Sequence, residues 1–567
     1  MSKGRSGVNP VMPPLVVDIA DTYAWHSHCD TVVVGFGAAG ACAALEAAEA
    51  GLRVIVADRF DGGGASIRSG GVVYAGGGTR YQTEAGYHDT PQAMAAYLSQ
   101  EVGDAVQAGT LEDFCTRSRE MISWLEGHGV AFASSVPPRK TSYPAQPYYL
   151  YYSGNESVPA YARKAEPAPR GHRARGDGMS GRALFGALRS AVQSQPRVEV
   201  LRQAAARRLI VDRNGRVIGV ELWRMPPGRL QRRHARLARW AERLHDLSPG
   251  LADVLRARVL DMEARHGRAH AVRAHAVVLA TGGFIFNTDM VEQHARKYRH
   301  NWRLGATGCD GSGIRLGLSV GAATHRMERV SAWRFINPPL DWARGCVVNA
   351  QGQRIDNEEV YGARLGHSIC ESHGGQAWLI LDARLARSAL RDCFFGGLWA
   401  FQAVPASMLM LFAARRAPTI AALAGKLGMP SLQPTIDTYN AAARGECPDP
   451  AGKSAQMCTP LEKGPYVAID ISVNSRVFPC SAITLGGLRV DEASGRVLAE
   501  GSEDAIAGLY AAGRTAVGIA SNHYVSGLSL ADCIWSGRNA GRAIAAGLRG
   551  AERDSAVPDA GSSPKGR

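Results

Sequence analysis

Three glycines near the N-terminus have the spacing that a phosphate-binding turn requires. Gly35, Gly37 and Gly40 form a GxGxxG pattern directly after the apolar run 30–34, and Asp58 ends the next apolar run. In a strand-turn-helix unit the first glycine permits the turn, the second admits a pyrophosphate, and the third lets helix and strand pack closely. The helix N-terminus attracts the phosphates, and a carboxylate about 20 residues on binds ribose hydroxyls. The sequence therefore predicts a dinucleotide site.

A second glycine-rich segment follows the second apolar run. Residues 61–71 read Asp-Gly-Gly-Gly-Ala-Ser-Ile-Arg-Ser-Gly-Gly. An extended FAD would pass its pyrophosphate and ribityl chain along such a loop, whereas an NAD site does not need it. The segment therefore favours FAD. Contacts to FAD are predicted around this loop at Arg59, Gly64, Ala65, Ser66, Ser69, Gly70 and Gly71.

The elements that hold these loops follow from the hydrophobic pattern. Residues 30–35 and 53–57 are predicted as buried parallel strands joined by a helix over 38–50. This βαβ unit places the chain in the α/β class, with a Rossmann-like domain. The other predicted elements are helices over 110–130 and 182–194, and strands over 198–201, 205–212, 216–221 and 274–280.

Three further blocks complete a pattern that resembles a known family. They are Ala280-Thr-Gly-Gly283, Gly508-Leu-Tyr-Ala-Ala-Gly-Arg514, and residues 524–538 with Tyr524-Val-Ser526-Gly527 at their start. Together with the N-terminal fingerprint they resemble the fumarate reductase/succinate dehydrogenase flavoprotein superfamily. Within it they are most similar to the 3-ketosteroid dehydrogenases, and most closely to the Δ4-(5α) branch.

The resemblance implies a domain division. An FAD-binding domain would be discontinuous in sequence, over 28–286 and 465–548, with an α+β substrate-capping domain over 287–464. The helix after Gly527 would point its N-terminus at the flavin and stabilise negative charge on it. The contacts to FAD implied by the resemblance are Ala38, Ala39, Ala206, Thr281, Gly282, Gly513, Arg514, Leu528, Ser529 and Leu530.

Two positions depart from the family pattern. Arg514 stands where many relatives carry Glu, in the segment that contacts the ribityl chain. No histidine lies between Ser66 and Gly71. The second departure argues against a histidyl-flavin bond, so the sequence predicts FAD bound non-covalently.

The expected substrate follows from residues that are missing at the positions where dicarboxylate-binding relatives hold their substrate. Relatives that act on fumarate or succinate bind two carboxylates with a histidine before a Thr-x-Gly-Gly and with arginines, one of them shortly after an Asn-Glu. Here Thr484-Leu-Gly-Gly487 has no such histidine, and Tyr361 follows Asn357-Glu358 near the arginine slot. A neutral phenol cannot neutralise a carboxylate, but it can hydrogen-bond a ketone or relay a proton. A neutral, apolar steroid ketone is therefore the expected substrate.

Three hydroxyl side chains are the predicted catalytic residues. Tyr524 and Ser526 resemble the Tyr-x-Ser of Δ4-(5α)-dehydrogenases, and Tyr361 resembles a second active-site tyrosine. Tyr524 would donate a hydrogen bond to the C3 ketone, while Ser526 and Tyr361 take the C4 proton and flavin N5 accepts the C5 hydride. Which of Ser526 and Tyr361 is the immediate base stays open. The neighbouring aromatic cluster is interpreted as core or pocket wall, and consists of Tyr148, Tyr149, Tyr151 and Tyr152.

Other activities are compatible with the same residues. One is a 3-ketosteroid Δ1-dehydrogenase, and another is a reductase of enones or of fumarate-like acids. A third is a flavin-binding protein without catalysis, used for electron transfer or docking. The physiological electron acceptor cannot be inferred from the sequence.

The net charge is concentrated in one segment. The chain has 567 residues and a formal net charge of +14, and residues 224–273 hold twelve arginines against five acids. No nucleic-acid-binding signature accompanies this charge, so no nucleic-acid partner is expected. The segment is predicted as an inserted helical hairpin with an apolar face at Leu230, Leu237, Trp240 and Leu244. We expect it to be dispensable for FAD and available for a peripheral membrane contact or a protein contact.

Cysteine usage and the chain ends complete the sequence-based expectations. The eleven cysteines show no pattern of metal ligands, so no metal is predicted, and a reduced, cytoplasmic setting is the simpler interpretation. No apolar run long enough for a membrane span is found. Residues 549–567 are predicted as a disordered tail.

Overall fold

A parallel sheet forms where the first motif predicts it. In the computed structural model, which describes residues 7–475 and 477–556, strand Thr31–Val34 is buried along its whole length and leads into helix Ala38–Glu49. All neighbours in this sheet are parallel except the pair at one edge, Arg496–Leu498 and Ala505–Ala511. The six strands in spatial order are Arg496–Leu498, Ala505–Ala511, Ala276–Leu279, Thr31–Val34, Val54–Asp58 and Val198–Arg202.

A second sheet of five strands packs beside the first. Its centre is an antiparallel run of Ala204–Asp212, Val217–Arg224 and Arg268–Arg273. The first two strands were predicted, whereas the third lies inside the segment predicted as a helical hairpin; the strand predicted over 274–280 is Ala276–Leu279 of the first sheet. Its edges are Leu15–Val17 and Ser27–His28, each paired in parallel. Residues before position 28, which the predicted domain leaves out, are therefore part of this sheet.

Two helices interrupt the second sheet, as the basic segment predicts. Helices Arg229–His245 and Pro249–His266 connect the paired strands that end at Arg224 and begin at Arg268. On the predicted apolar face Trp240 is 48% exposed, whereas Leu230, Leu237 and Leu244 are partly buried. The fully buried residues of the first helix are His234, Ala235, Ala238, Ala241 and His245. Alanines let this helix approach its neighbours closely, which the long side chains of the predicted face would not allow.

Strand pairs cross the predicted domain boundary at 464. Strand Tyr466–Asp470 pairs with Trp378–Leu381 and with Arg415–Ala417, which lie within residues 287–464, the predicted substrate-capping domain and here called the capping region. Strand Ser481–Thr484 likewise pairs with Val330–Trp333. These pairings join residues far apart in sequence, which a local pattern does not reveal. The remaining helices of this region are Thr288–His294, Ser312–Leu318, Leu340–Ala343, Gly362–Ser372, Ala383–Phe395, Ala400–Met408, Ile420–Leu427 and Leu432–Ala443; its remaining strands are Trp302–Arg303, Thr324–His325 and Cys346–Val348.

The C-terminal helix Leu528–Ala556 packs against helix Ala38–Glu49. It contains residues 549–556, so the predicted tail does not begin at 549; residues 557–567 lie outside the described residues. The helix predicted over 110–130 is divided into two. The other elements of this half are helices Gly64–Arg68, Arg80–Glu84, Pro91–Val102, Ala108–Thr116, Ser118–Gly127, Pro159–Ala162 and Gly181–Ser194, and strands Val72–Tyr74, Leu150–Tyr151, Gly171–Arg173 and Gly487–Leu488.

The predicted packing role of Gly40 can be tested with a matched glycine. A Cβ at Gly40 would lie 1.9 Å from the Gly35 carbonyl oxygen, whereas one at Gly186, inside another helix, meets nothing within 4 Å. Gly40→Ala should therefore lower the free energy of unfolding by about 1–3 kcal/mol. Gly186→Ala should raise it by about 0.5–1 kcal/mol, because alanine loses less backbone entropy in a helix. Urea unfolding of both variants measures the difference, and equal effects would refute the packing role.

Candidate functional site

A cavity of about 960 Å³ lies at the carboxyl ends of the central parallel strands. This is where open α/β sheets bind dinucleotides, because helix N-termini and turns converge there. The predicted contacts that line it come from both ends of the chain. They are Gly35, Gly37, Ala38, Ala39, Asp58, Arg59, Gly64, Ala65, Ser66, Ala206, Thr281, Gly282, Gly513 and Arg514.

Glycine is required where the backbone forms the wall. Gly35 has a φ of +107°, and a Cβ there would lie 2.4 Å from the carbonyl oxygen of Ala280. Gly282, on the neighbouring strand end, also has a positive φ of 83°. Any other residue at these positions would be strained or would fill the space next to the turn. The two turns therefore leave room for a ligand to contact backbone.

Asp58 is fixed at the edge of this cavity by backbone donors. Its carboxylate accepts hydrogen bonds from the N–H of Phe36, at 2.9 Å, and from the N–H of Phe60, at 2.8 Å. The Gly62 N–H is a third donor, at 3.3 Å, and a carboxylate has about four acceptor sites, so capacity for a ribose hydroxyl is left. This arrangement agrees with the role that the sequence predicts for Asp58.

The second glycine-rich loop contacts the first through Ser66. The N–H of Ala38, in the first turn of its helix, donates to Ser66 Oγ at 3.0 Å. Ser69 and Gly71 lie behind this contact, where Ser69 Oγ donates to the Ser66 carbonyl at 2.7 Å and accepts from the Gly71 N–H at 3.1 Å. Gly70 accepts a hydrogen bond from a tyrosine. Ser69, Gly70 and Gly71 thus shape the loop rather than line this cavity.

Arg514 provides an unused donor in the cavity wall. Its Nη2 donates to Cys309 Sγ at 3.4 Å, while Nη1 is buried and has no hydrogen-bond partner among the residues described. A buried guanidinium N–H without a partner is costly, so a ligand acceptor would stabilise it. The glycine turns, the helix N-terminus and this donor together fit an FAD.

Arg59 also lines the cavity, but its side chain is engaged elsewhere. Its guanidinium contacts Glu263 at 2.9 Å and Asp310 at 3.0 Å. Ala206 likewise lines the cavity, and its carbonyl accepts from the Asn9 side-chain amide at 2.9 Å. Backbone contact to a ligand is what these two positions can still offer.

The C-terminal helix begins beside the glycine-rich loop. Gly527 has a φ of 91°, and its carbonyl accepts from the Tyr74 N–H at 3.2 Å. The helix starts at Leu528, and Leu528, Ser529 and Leu530 are buried in its first turn. Its positive dipole end is thus held inside the protein next to strand Val72–Tyr74.

The three predicted catalytic hydroxyls come together just before this helix. The ring of Tyr524 stacks on Trp333, with centroids 5.1 Å apart. Ser526 Oγ lies 3.0 Å from the hydroxyl of Tyr151 and also interacts with Tyr361. Tyr361 and Ser526, 165 positions apart in sequence, therefore share one hydrogen-bonded cluster with Tyr151.

Burial keeps these tyrosines protonated. It raises the pKa of Tyr524 to about 12, against the opposing effect of the Gly527 backbone and Arg514. Burial also raises the pKa of Tyr361 well above its ordinary value, and the Ser526 hydroxyl offsets only part of this. The phenols are therefore neutral donors near pH 7, suited to donating a hydrogen bond or relaying a proton.

Comparison with known proteins identifies the family of this chain. The family model described as FAD binding domain matches residues 30–530. This chain belongs to that family.

Three relatives of this FAD-binding protein are close over nearly its whole length. It is 44% identical to the 3-oxo-5-alpha-steroid 4-dehydrogenase of Comamonas testosteroni, over 90% of this chain and 97% of that protein. It is 28% identical to the 3-oxosteroid 1-dehydrogenase of Mycolicibacterium smegmatis, over 87% and 93%. The crystal structure of 3-ketosteroid-delta4-(5alpha)-dehydrogenase from Rhodococcus jostii RHA1, in complex with 4-androstene-3,17-dione, superposes with a TM-score of 0.78 at 29% identity, covering 94% of this chain and 100% of that one.

Sequence reasoning missed several residues of the site. Asn9 lines the cofactor cavity, although it lies in a segment that the predicted domain leaves out. Tyr151, interpreted as core or pocket wall, reaches Ser526. The other unpredicted residues of the cavity wall include Cys309, Asp310, Ser312, Ala238, Arg239, Glu242, Arg243 and Asp246. The GxGxxG pattern gives no signal for these, because they arrive by tertiary packing.

In the described part of the chain, the helices are too short or too polar to cross a membrane.

Asp532, four residues into the C-terminal helix, gives a test of pH dependence. Burial raises its pKa to about 7, although the backbone of Ile519 and Ala520 opposes this. The unfolded chain releases this proton near pH 4, so the folded state binds more protons between about pH 4 and 7 and loses stability as pH rises through that window. Asp532→Asn should therefore gain thermal stability relative to wild type from pH 4 to 7 and keep the gain above it. A difference in melting temperature that does not change with pH would contradict the assignment.

Proposed function

We propose that this protein is an FAD-dependent 3-oxosteroid dehydrogenase that introduces a double bond between C4 and C5. The observation that carries the proposal is the cluster of Tyr524, Ser526 and Tyr361 at the start of the buried C-terminal helix. Two of the relatives support the position of the bond, since one is named a 3-oxo-5-alpha-steroid 4-dehydrogenase and the other a Δ4-(5α)-dehydrogenase solved with 4-androstene-3,17-dione. A neutral ketone suits a site whose hydroxyl groups are uncharged.

The cofactor is proposed to be bound non-covalently. Gly35, Gly37 and Ala38 would hold the pyrophosphate, Asp58 the adenosine ribose, and Arg514 an acceptor group of the flavin half. The loop between Ser66 and Gly71 contains no histidine that could form a covalent link. When bound, FAD supplies the chemistry of the redox step by accepting a hydride from C5.

The protein has to lower the barrier to removing a proton from C4. A C–H bond next to a ketone is far less acidic than a phenol, so the ketone oxygen must be polarised as charge develops on it. Tyr524 is the proposed donor to the C3 oxygen. Its pKa of about 12 keeps the donor proton in place, and stacking on Trp333 fixes the ring.

Ser526 and Tyr361 are proposed to take the C4 proton. Neither Tyr361 nor Tyr524 is ionised near pH 7. The proton must therefore pass along a chain of hydroxyls, each of which accepts one proton while it donates another. Ser526 Oγ can accept from the substrate because it can donate onward to Tyr151, 3.0 Å away, or to Tyr361. Tyr151 is thus a positioning group for Ser526, and the proposed relay ends by releasing the C4 proton to solvent while the hydride goes to the flavin.

The steroid assay described below also distinguishes other activities. A Δ1-dehydrogenase or an enone reductase could use the same donor, and the 3-oxosteroid 1-dehydrogenase relative makes the first a real alternative. A fumarate-like substrate is disfavoured because Tyr361 supplies no positive charge for a carboxylate. A flavin-binding role without catalysis would leave the buried hydroxyl cluster unexplained.

The setting and partners of the enzyme are also proposals. A cytoplasmic location is supported by eleven cysteines that are all unpaired. A contact of residues 224–273 with a membrane surface or another protein is supported by exposed apolar side chains near the tip of the hairpin, Trp240, Leu247, Leu251 and Val254. The electron acceptor is left unassigned.

A panel of saturated 3-ketosteroids tests the reaction. Mixed anaerobically with the FAD-loaded protein, a 5α-3-ketosteroid should bleach the flavin and yield a C4–C5 double bond, identified by mass spectrometry and NMR. Deuterium at C5 should slow the bleaching, whereas deuterium at C1 should not, because only the C5–H bond breaks as a hydride. A C1–C2 double bond, or no bleaching by any steroid, would overturn the proposal.

Removing single hydroxyls tests the assigned roles. Tyr524→Phe should lower the rate of flavin bleaching by about 10²- to 10³-fold, the scale of losing one oxyanion donor, and should leave FAD content unchanged. Ser526→Ala and Tyr361→Phe should lower it by about 10²- to 10⁴-fold, the range of general acid-base groups. Tyr149→Phe, in the same aromatic segment, serves as the matched control and should react like wild type. Normal bleaching by Tyr524→Phe would remove that residue from the mechanism.

A further inference from the structure

The first helix of the basic hairpin forms one wall of the cofactor cavity. Ala238, Glu242 and Asp246 line the cavity at spacings of four residues, and Arg239 and Arg243 lie beside them. Positions four apart share one face of a helix, so helix Arg229–His245 presents a continuous face to the cavity. This was not expected from a segment that carries none of the cofactor motifs.

A buried carboxylate anchors the base of the hairpin to the cofactor domain. Glu263, in the second helix, accepts from Arg59 at 2.9 Å, from Arg207 at 2.8 Å and from His234 of the first helix at 2.9 Å. Burial alone would raise the pKa of Glu263, but Arg59 and His234 outweigh it and lower the pKa to about 2. Because Arg59 follows Asp58 directly, this anchor holds the strand end that carries the ribose-binding carboxylate.

Two further sets of contacts fasten the hairpin across the cavity. Arg68, in the second glycine-rich loop, donates to both carboxylate oxygens of Asp246, at 3.1 and 3.0 Å. Near the tip, Asp253 accepts from Arg303 at 2.9 Å. Arg303 belongs to strand Trp302–Arg303, which pairs with Ser481–Thr484 of the capping region. The hairpin therefore spans from the FAD sheet to the capping region.

The wall contributes enclosure rather than charge. The cavity lining holds eight arginines and six carboxylates, and the hairpin supplies two of each. Removing the hairpin would therefore leave the net charge of the lining unchanged. The hairpin separates one side of the cavity from solvent. A bound dinucleotide that leaves on this side would have to pass the hairpin.

We propose that the hairpin, residues 225–267, is the outer wall of the FAD site and controls the release of bound FAD. Its contacts at Glu263, Asp246 and Asp253 hold it closed, and the cofactor escapes only when the wall moves away. The inference depends on FAD binding, which is part of the proposed function, and does not depend on the steroid reaction.

The rate of FAD release tests the proposal. Asp253→Ala removes the tip contact to Arg303, and Arg68→Ala removes the contact to Asp246. Each should speed FAD release by about tenfold, a change that corresponds to about 1.4 kcal/mol. Release is followed by the rise in flavin fluorescence when loaded protein is diluted into buffer without FAD. The matched control is Arg236→Ala, at an exposed position of helix Arg229–His245, and this variant should release FAD at the wild-type rate.

Hydrogen exchange of the wild type provides an independent measurement. Bound FAD should slow amide exchange in helix Arg229–His245, while helix Leu432–Ala443 of the capping region should exchange at the same rate with and without FAD. Absence of protection in the hairpin would overturn the proposal without any variant. Equal release rates for Asp253→Ala, Arg68→Ala and Arg236→Ala would also overturn it. A protein that holds FAD but oxidises no steroid would refute the proposed function and leave this test intact.

Discussion

The close packing of the first helix against the last holds the two ends of the cofactor domain together. A Cβ at Gly537 would lie 2.3 Å from the Ala39 carbonyl oxygen, and one at Gly541 would lie 2.6 Å from that of Ala43. Only glycine permits helix Leu528–Ala556 to approach so closely. Glu46 also pairs with Arg538 at 2.6 Å, which adds a charge-assisted hydrogen bond between the two helices.

This packing determines where the C-terminal residues of the site lie. The Gly513 N–H donates to Ser536 Oγ at 2.9 Å, which fixes the turn before Arg514 against the last helix. The same helix begins at Leu528, directly after Tyr524 and Ser526. One helix–helix contact therefore sets the positions of Arg514, of the N-terminus of the last helix and of the proposed catalytic hydroxyls relative to the GxGxxG turn. The parallel sheet carries the N-terminal loops of the site, and the helix pair fixes the C-terminal residues relative to those loops.

What the sequence could predict was local or tied to a motif. The strand-turn-helix unit at Gly35, the meander after residue 198 and the two helices of the insertion were predicted because their periodicity and turns are contiguous. The pairing of strand Tyr466–Asp470 with Trp378–Leu381 was not, since it joins residues about 90 positions apart. The same holds for the site: Tyr524 and Ser526 lie in a motif, whereas Tyr151 and Asn9 arrive only through tertiary packing. Motifs identify the groups that perform chemistry, and packing selects their neighbours.

Two buried carboxylates of the cofactor domain have pKa values that are shifted in opposite directions. Asp532 is buried with backbone donors as its main support, and its pKa rises to about 7. Glu263 is equally buried but contacts Arg59, Arg207 and His234, and its pKa falls to about 2. Desolvation disfavours both charges, so the difference comes from the cations. Separating the hairpin from the sheet would divide that charged group and leave Arg59 and Arg207 without their shared carboxylate. The insertion is therefore coupled to the FAD sheet by a buried group of charges at its base.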